Sequence, residues 1–127
     1  MIDVVIPEIE PLVKPLLGLP YAQCDCWQLL RRLFGQGWGI DLDADPAAAA
    51  AQVQEIWWRD DPRDPVALSQ PWDIWILRSN GLASSHVGVV VDQRQIVHTG
   101  ETLNVCVQLM RLWRPWLLQM ARLRRLL

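Results

Sequence analysis

Residues 25–34 read DCWQLLRRLF, and this stretch decides how the first half of the chain folds. Apolar residues recur at positions 26, 29, 30 and 33, which is the spacing of one helix face, and the two arginines lie on the other side. Asp25 is a typical N-cap residue, and glycines follow at positions 35, 37 and 39. The pattern predicts a helix over residues 26–34 that these glycines stop.

The segments on either side of this helix carry weaker signals. Residues 1–20 are apolar and contain four prolines, which favours an extended or briefly helical lead-in over residues 1–15. Further along, Asp45 and Pro46 are typical of a helix start, and the alanines that follow predict a second helix towards Trp57 and Trp58. Residues 60–65 are rich in Asp and Pro, which indicates a solvated loop.

The second half of the chain has the pattern of strands. Four short segments rich in β-branched residues are separated by Gly or Asp: residues 74–77, 86–91, 95–98 and 103–109. Helices followed by antiparallel strands predict an α+β fold with N-terminal helices packed on a small antiparallel sheet. Residues 111–127 form an arginine-rich C-terminal tail, which we expect to be solvated. Pro115 interrupts both a helix and a strand there, so no element is assigned.

The composition sets limits on the class of protein. The chain has 127 residues, 51% hydrophobic and 20% charged, which predicts one domain over residues 1–127 with a real core. The formal net charge is −2, so we expect no nucleic-acid partner. No uncharged apolar run is long enough to span a bilayer. The three cysteines favour a reduced compartment, and the acidic N-terminus does not fit a signal peptide. We therefore expect synthesis in the cytoplasm.

Three residues stand out as carriers of chemistry: Cys26 at a helix start, and the only two histidines, His86 and His98, in predicted strands. A thiol at a helix N-terminus lies at the positive end of the helix dipole, which is expected to lower its pKa. A nearby imidazole would complete the activation of a nucleophile. Free backbone N–H groups at the same helix end are suited to an oxyanion hole.

The hairpin between the two histidines gives a geometric test of this hypothesis. A loop of two or four residues would pair Val89 with His98 and place the two imidazoles on opposite faces of the sheet. A loop with an odd number of residues would pair Gly88 with His98, and both imidazoles would then be diagonal neighbours on one face. The nucleophile hypothesis therefore predicts an odd register or a bulge within residues 92–95.

Other interpretations of these residues stay open on spacing alone. A lone cysteine is commonly a small buried hydrophobe, and this is the interpretation we give to Cys24 and Cys106. Cys24, Cys26, His86 and His98 could in principle bind a metal ion, although Cys-x-Cys is not the usual zinc spacing. We expect neither a metal nor a cofactor.

Together these residues resemble a known family. Gly18-Leu19-Pro20-Tyr21, then Asp25-Cys26, His86-Val87-Gly88-Val89-Val90 and Ile96-Val97-His98 are similar to the motifs of the NlpC-type cell-wall cysteine peptidases, which are papain-like α+β domains. Asp25-Cys26-Trp27, with Pro71-Trp72-Asp73-Ile74 before the first predicted strand, most resembles the branch found in bacteriophage tails and prophage particles. The resemblance covers about residues 16–110.

The resemblance implies hydrolysis of an amide bond in peptidoglycan stem peptides, typically after a γ-D-glutamyl residue. It implies Cys26 as the nucleophile, His86 as general base and then acid, and His98 as the group that orients His86. Tyr21 and Asp25 match positions that hold the free amino end of the substrate. Many members have serine after the cysteine, whereas this chain has Trp27, which would reshape the same substrate pocket.

The same resemblance leaves two functional classes open. The first is a phage-tail or prophage-tail peptidase whose partners are stem peptides and tail proteins. The alternative is a catalytically silent structural or assembly protein of a tail tip, with the tryptophan-rich loops as its interface. For both, the resemblance implies a place in a virion tail.

Overall fold

The computed structural model describes residues 5–42, 56–59, 64–78, 85–100 and 102–123. Its helices are α1 (Glu10–Val13), α2 (Cys26–Trp38), α3 (Pro65–Leu68) and α4 (Met110–Trp113), with 3₁₀ turns at Lys14–Leu16 and Arg114–Trp116. Its strands are β1 (Ile56–Arg59), β2 (Ile74–Arg78), β3 (Ser85–Val90), β4 (Gln95–Gly100), β5 (Leu103–Leu109) and β6 (Leu117–Leu123). Within these residues, no helix is both long and apolar enough to cross a lipid bilayer.

The six strands form one antiparallel sheet in the order β1-β6-β2-β3-β4-β5. The helix α2 packs on one face of this sheet, against β3 and β4. The first core cluster lies between α2 and the sheet. A second cluster surrounds Trp75, Ile96 and Met110, and its strand residues alternate along the strands with those of the first cluster. The predicted α+β fold, with N-terminal helices on a small antiparallel sheet, is confirmed.

The helix α2 begins as the sequence predicts and ends later. Asp25 is its N-cap: its Oδ1 accepts from the backbone N–H of Gln28, and the Gln28 side chain accepts from the backbone N–H of Asp25. This reciprocal capping box fixes the first turn, which carries Cys26. The prediction that glycines stop the helix near residue 34 was wrong for Gly35 and Gly37, which lie inside α2. Gly39, with φ of 66°, is the left-handed C-cap.

Close packing explains why α2 tolerates a glycine at position 37. A Cβ on Gly37 would lie 2.4 Å from the ring of Trp72, which is fully buried against Phe34 and Trp38. The indole N–H of Trp72 also donates to the carbonyl of Pro7 at 2.8 Å. Trp72 therefore joins the lead-in, α2 and the start of β2.

Two expectations for the middle of the chain have different outcomes. The second predicted helix was wrong at its end, because Ile56–Arg59 forms the strand β1 and pairs with β6. Isoleucine and two tryptophans in this stretch favour a strand. The start of that helix lies at residues 45–55, outside the described residues. Of the predicted loop over 60–65, the described part begins at Asp64, whose side chain caps α3.

The C-terminal tail is structured over residues 111–123: the expectation that it is solvated was wrong for β6, whereas Arg111 and Arg114 are exposed. This segment forms α4, a 3₁₀ turn that contains Pro115, and β6, which lies between β1 and β2. Arg122 on β6 makes two 2.8 Å hydrogen bonds with the carboxylate of Asp73, which is fully buried. The strand β6 is thus part of the sheet interior.

The segment before α2 is held on the free edge of β5. The backbone N–H of Gly18 donates to the carbonyl of Val105, and the N–H of Val105 donates to the carbonyl of Leu19, both at 2.9 Å. Gly18 adopts a φ of 86°, which favours glycine. These bonds fix the path that leads the chain to Cys26.

Candidate active site

Cys26 lies where the first turn of α2 meets the beginning of β3. It is the first residue of α2 and is half-buried. Backbone N–H groups of Val87, Trp27 and Cys26 itself point at its sulfur. Since Val87 directly follows His86 in β3, the thiol is positioned next to the strand end that carries the first imidazole. The sulfur is therefore surrounded by backbone donors.

The expected lowering of the thiol pKa is not what the structure gives. Burial raises the pKa of the Cys26 thiol above its ordinary value, and the backbone N–H of Val87 opposes this with a smaller effect. The negative charge of Asp25 raises the same pKa further. Desolvation outweighs the backbone donors because a thiolate in a half-buried site loses much of its hydration. The thiol is thus the dominant form at neutral pH.

The two histidines lie in contact, as the odd hairpin register predicts. Val89 pairs with Val97 and Val90 with Ile96, so the loop has three residues, 92–94, and the same register puts Gly88 opposite His98. The Nε2 atom of His86 lies 3.0 Å from Nδ1 of His98, and the ring centroids are 5.2 Å apart. A Cβ on Gly88 would lie 3.7 Å from that of His98. The glycine thus keeps the space between them open.

The side chain of Asp92 helps to fix this register. Its Oδ1 accepts from the backbone N–H groups of Arg94 and Gln95 at 2.8 and 2.9 Å. The N–H of Val91 donates to the carbonyl of Gln95 and closes the loop. The turn is therefore held by an Asx motif that keeps the three-residue length.

Both imidazoles are held in the neutral form. Burial, and then the charge of the neighbouring His98, lower the pKa of His86 to about 4. Burial also lowers the pKa of His98, and the hydrogen bond that its ring donates to Gln108 opposes this shift. Two adjacent imidazoles cannot both carry a proton at low cost. At neutral pH, His86 therefore has a free lone pair and can accept a proton.

Two further residues belong to this site that sequence reasoning missed. The Nε2 atom of His98 lies 2.5 Å from Oε1 of Gln108, and the indole N–H of Trp113 donates to the same oxygen at 2.8 Å. The Trp113 ring packs on both imidazoles, with centroids 4.6 Å from His98 and 5.9 Å from His86. Gln108 is diagonal to His98 across β4 and β5, since Ile96 is its direct partner. Correct strand pairing would have been the signal for it.

The three residues expected at the substrate have different surroundings. The Oδ1 atom of Asp25 accepts the capping bond of α2, so an amine bound to Asp25 would share its carboxylate with the helix cap. Trp27 is half-buried and packs against the first core cluster. Tyr21 is also half-buried, two residues after the segment that lies on β5. Their substrate contacts stay a prediction.

The other two cysteines differ from each other. Cys24 is fully buried in the first core cluster, which fits the structural interpretation. Cys106 is half-buried and pairs with His98 across β4 and β5, with its sulfur 3.9 Å from His98 Nε2. This contact is longer than the one to Gln108. Among the described residues there is no group of three or more Cys, His, Asp or Glu that could hold a metal ion.

Comparison with solved structures identifies a similar fold. The crystal structure of the NlpC/p60 domain of the peptidoglycan hydrolase SagA matches this chain with a TM-score of 0.66 at 16% sequence identity. The match covers 91% of this chain and 97% of that one. Comparison with protein-family models and with curated protein sequences gives no match. The chain therefore has the α+β fold of an NlpC/p60 domain.

Proposed function

We propose that the chain is a cysteine peptidase that hydrolyses amide bonds in peptidoglycan stem peptides. The observation that carries the proposal is the 3.0 Å contact between the imidazoles of His86 and His98. The residue after His86 in β3 is Val87, whose backbone N–H donates to the sulfur of Cys26. The likeness to a domain of a peptidoglycan hydrolase supports the substrate class. The proposed catalytic residues are Cys26 as nucleophile, His86 as base and His98 as the orienting group.

In the first step, the Cys26 sulfur attacks the amide carbon while its proton moves to His86. A raised thiol pKa and a neutral imidazole mean that this transfer accompanies the attack, instead of preceding it as a stable ion pair. The backbone N–H groups of Cys26 and Trp27 lie at the sulfur, and we propose them as the donors to the oxyanion that develops. Nε2 of His86 bonds to His98, so its Nδ1 is the nitrogen left for the thiol.

In the second step, the C–N bond breaks and the imidazolium of His86 gives its proton to the leaving amine. A thioester between Cys26 and the acyl part of the stem peptide remains. Water then gives a proton to His86 and attacks the thioester carbon, which releases the acid and restores the thiol. His98 stabilises the transient imidazolium, because its Nδ1 accepts a charge-assisted hydrogen bond from Nε2 of His86.

Purified muropeptides test the proposal. Wild-type protein is expected to convert them into smaller fragments detectable by mass spectrometry, and Cys26→Ala is expected to lower the rate by at least about 1,000-fold because it removes the nucleophile. Gln36→Ala, an exposed change in the same helix, is the matched control and should cleave at the wild-type rate. Intact muropeptides with every variant, or equal cleavage by wild type and Cys26→Ala, would refute the proposal.

We further propose that the protein acts as a component of a phage or prophage tail. The support is the similarity of Asp25-Cys26-Trp27, and of the sequence that leads into β2, to the tail-associated branch of the family. Tail proteins would then be its partners, and a virion tail its final location. Mass spectrometry of purified particles should detect its peptides in the tail fraction, and particles that lack them would contradict this role.

A further inference from the structure

A chain of hydrogen bonds runs from Trp113 to His86, the proposed base. The indole N–H of Trp113 lies 2.8 Å from Oε1 of Gln108, which lies 2.5 Å from Nε2 of His98. The other nitrogen of that ring, Nδ1, lies 3.0 Å from Nε2 of His86. His98 is fully buried, so these protein groups and not bulk water define its environment. The four side chains form a continuous relay behind the site.

Elementary donor and acceptor rules give this relay a direction. The indole N–H can only donate, so the Gln108 atom that receives it must be the carbonyl oxygen. The same oxygen can only accept from His98, which requires a proton on Nε2 of His98. A neutral imidazole carries one proton, so Nδ1 of His98 has a lone pair and must accept from Nε2–H of His86. The lone pair of His86 is then on Nδ1.

We propose that Trp113 and Gln108 are positioning residues that set the tautomers of both imidazoles, so that the proton-accepting nitrogen of His86 is the one left for Cys26. The inference rests on the proposed peptidase function, because only a reaction at the thiol makes the choice of nitrogen matter. A half-turn of the Gln108 amide would offer its NH₂ group to His98 and reverse every proton in the relay. His86 would then carry its proton on Nδ1 and could not accept the one from the thiol. The Trp113 N–H prevents this half-turn.

Nitrogen NMR tests the tautomers directly, without any enzyme assay. The chain contains only two histidines, so histidine labelled with ¹⁵N gives signals from His86 and His98 alone. At pH 7 the wild type is expected to show both rings protonated on Nε2 and unprotonated on Nδ1. Wild-type spectra with a protonated Nδ1 on either ring would overturn the proposal before any variant is made.

Substitutions of Trp113 and Gln108 distinguish the effect of the Trp113 N–H donor from the effect of packing by its ring. Trp113→Phe keeps an aromatic ring on the imidazoles but removes the donor, so both rings should show mixed tautomers. The double variant Trp113→Phe with Gln108→Glu should restore the single wild-type tautomer, since a carboxylate can only accept from His98. Trp116→Phe, an exposed tryptophan three residues away, should leave the spectrum unchanged. An unchanged spectrum in Trp113→Phe would refute the role of its N–H.

Kinetics supply the second readout. Trp113→Phe is expected to lower kcat by about 2- to 10-fold at constant KM. Without the indole N–H, one hydrogen bond no longer favours a single tautomer, so only part of the protein keeps the lone pair of His86 on Nδ1. The double variant should recover kcat. Loss of kcat with wild-type tautomers would assign Trp113 a packing role only and overturn the proposal. If the wild type cleaves no muropeptide while its tautomers are as predicted, the peptidase function fails and the relay stands.

Discussion

At the scale of single residues, the important property of the site is that both imidazoles are held neutral. His86 is half-buried and His98 is fully buried next to it, so a proton on either ring loses hydration and repels a proton on the other. This suits a base that must accept the thiol proton at neutral pH. It also means that folding displaces protons from histidine, which makes stability depend on pH.

We predict that acidification from pH 7 to pH 4 destabilises the protein in part through His86. Its pKa is about 4 in the folded chain and about 6.5 when unfolded, so the unfolded state binds more protons in this window. The free energy of unfolding therefore rises with pH between these values, and falls on acidification by about 2 kcal/mol after allowance for the partial exposure of the ring. Urea unfolding at half-unit pH steps measures this slope.

The variant His86→Asn isolates the contribution of this ring. Its free energy of unfolding should depend less steeply on pH than that of the wild type between pH 6.5 and 5, a range in which most carboxylates stay ionised. His98 still titrates in the variant, so some slope remains. Parallel curves for the two proteins would contradict the prediction.

At the scale of elements, α2 shows how a neighbouring side chain decides whether a helix needs a glycine at a given position. Gly35 and Gly37 lie inside α2 although glycine is a poor helix former. Gly37 is needed because the Trp72 ring occupies the space of a side chain, while a Cβ on Gly35 would meet only the carbonyl of Ile40, at 3.9 Å. The same residue type therefore has a packing role at one position and none at the other.

We predict opposite effects of alanine at these two glycines. Gly37→Ala should destabilise the protein by about 1–3 kcal/mol, because the new methyl group overlaps the buried Trp72 ring. Gly35→Ala should stabilise it by about 0.5–1 kcal/mol through a smaller loss of backbone entropy on folding. Chemical denaturation of both variants measures the difference. Equal effects, or stabilisation by Gly37→Ala, would show that Trp72 does not require the glycine.

Local signals in the sequence were sufficient for the start of α2, and they located the hairpin without fixing its register. The spacing of His86 and His98 left an even and an odd loop open, and only the hypothesis that the two imidazoles cooperate predicted the odd register that the structure has. The thiol pKa was mispredicted because the helix position was visible in the sequence while burial was not. Gln108 and Trp113 could not be identified, since they meet His98 only through pairing of β5 and a turn that carries no clear signal.

At the scale of the whole molecule, the last described strand lies inside the sheet. The strand β6 pairs with β1 on one side and β2 on the other, so the sheet is complete only when residues 117–123 lie between two strands from the middle of the chain. Its sequence, LLQMARL, has no β-branched residue, which is why the pattern did not predict a strand. Burial between two neighbours overrides this weak propensity. The α+β class was predictable, but the strand order was not.

The ion pair of Arg122 and Asp73 anchors this strand, and we predict that breaking it costs about 3 kcal/mol. Asp73 is fully buried, and Arg122 supplies two 2.8 Å bonds to it and one bond to the carbonyl of Leu68. Arg122→Met would leave the carboxylate without its cation in the core. Thermal and urea unfolding should show the loss, while Arg114→Met at an exposed position changes stability by less than about 0.5 kcal/mol. Adding Asp73→Asn to Arg122→Met should recover part of the loss, because the buried charge is then gone. Equal stability of Arg122→Met and the wild type would mean that β6 is held by its strand pairing and apolar contacts alone.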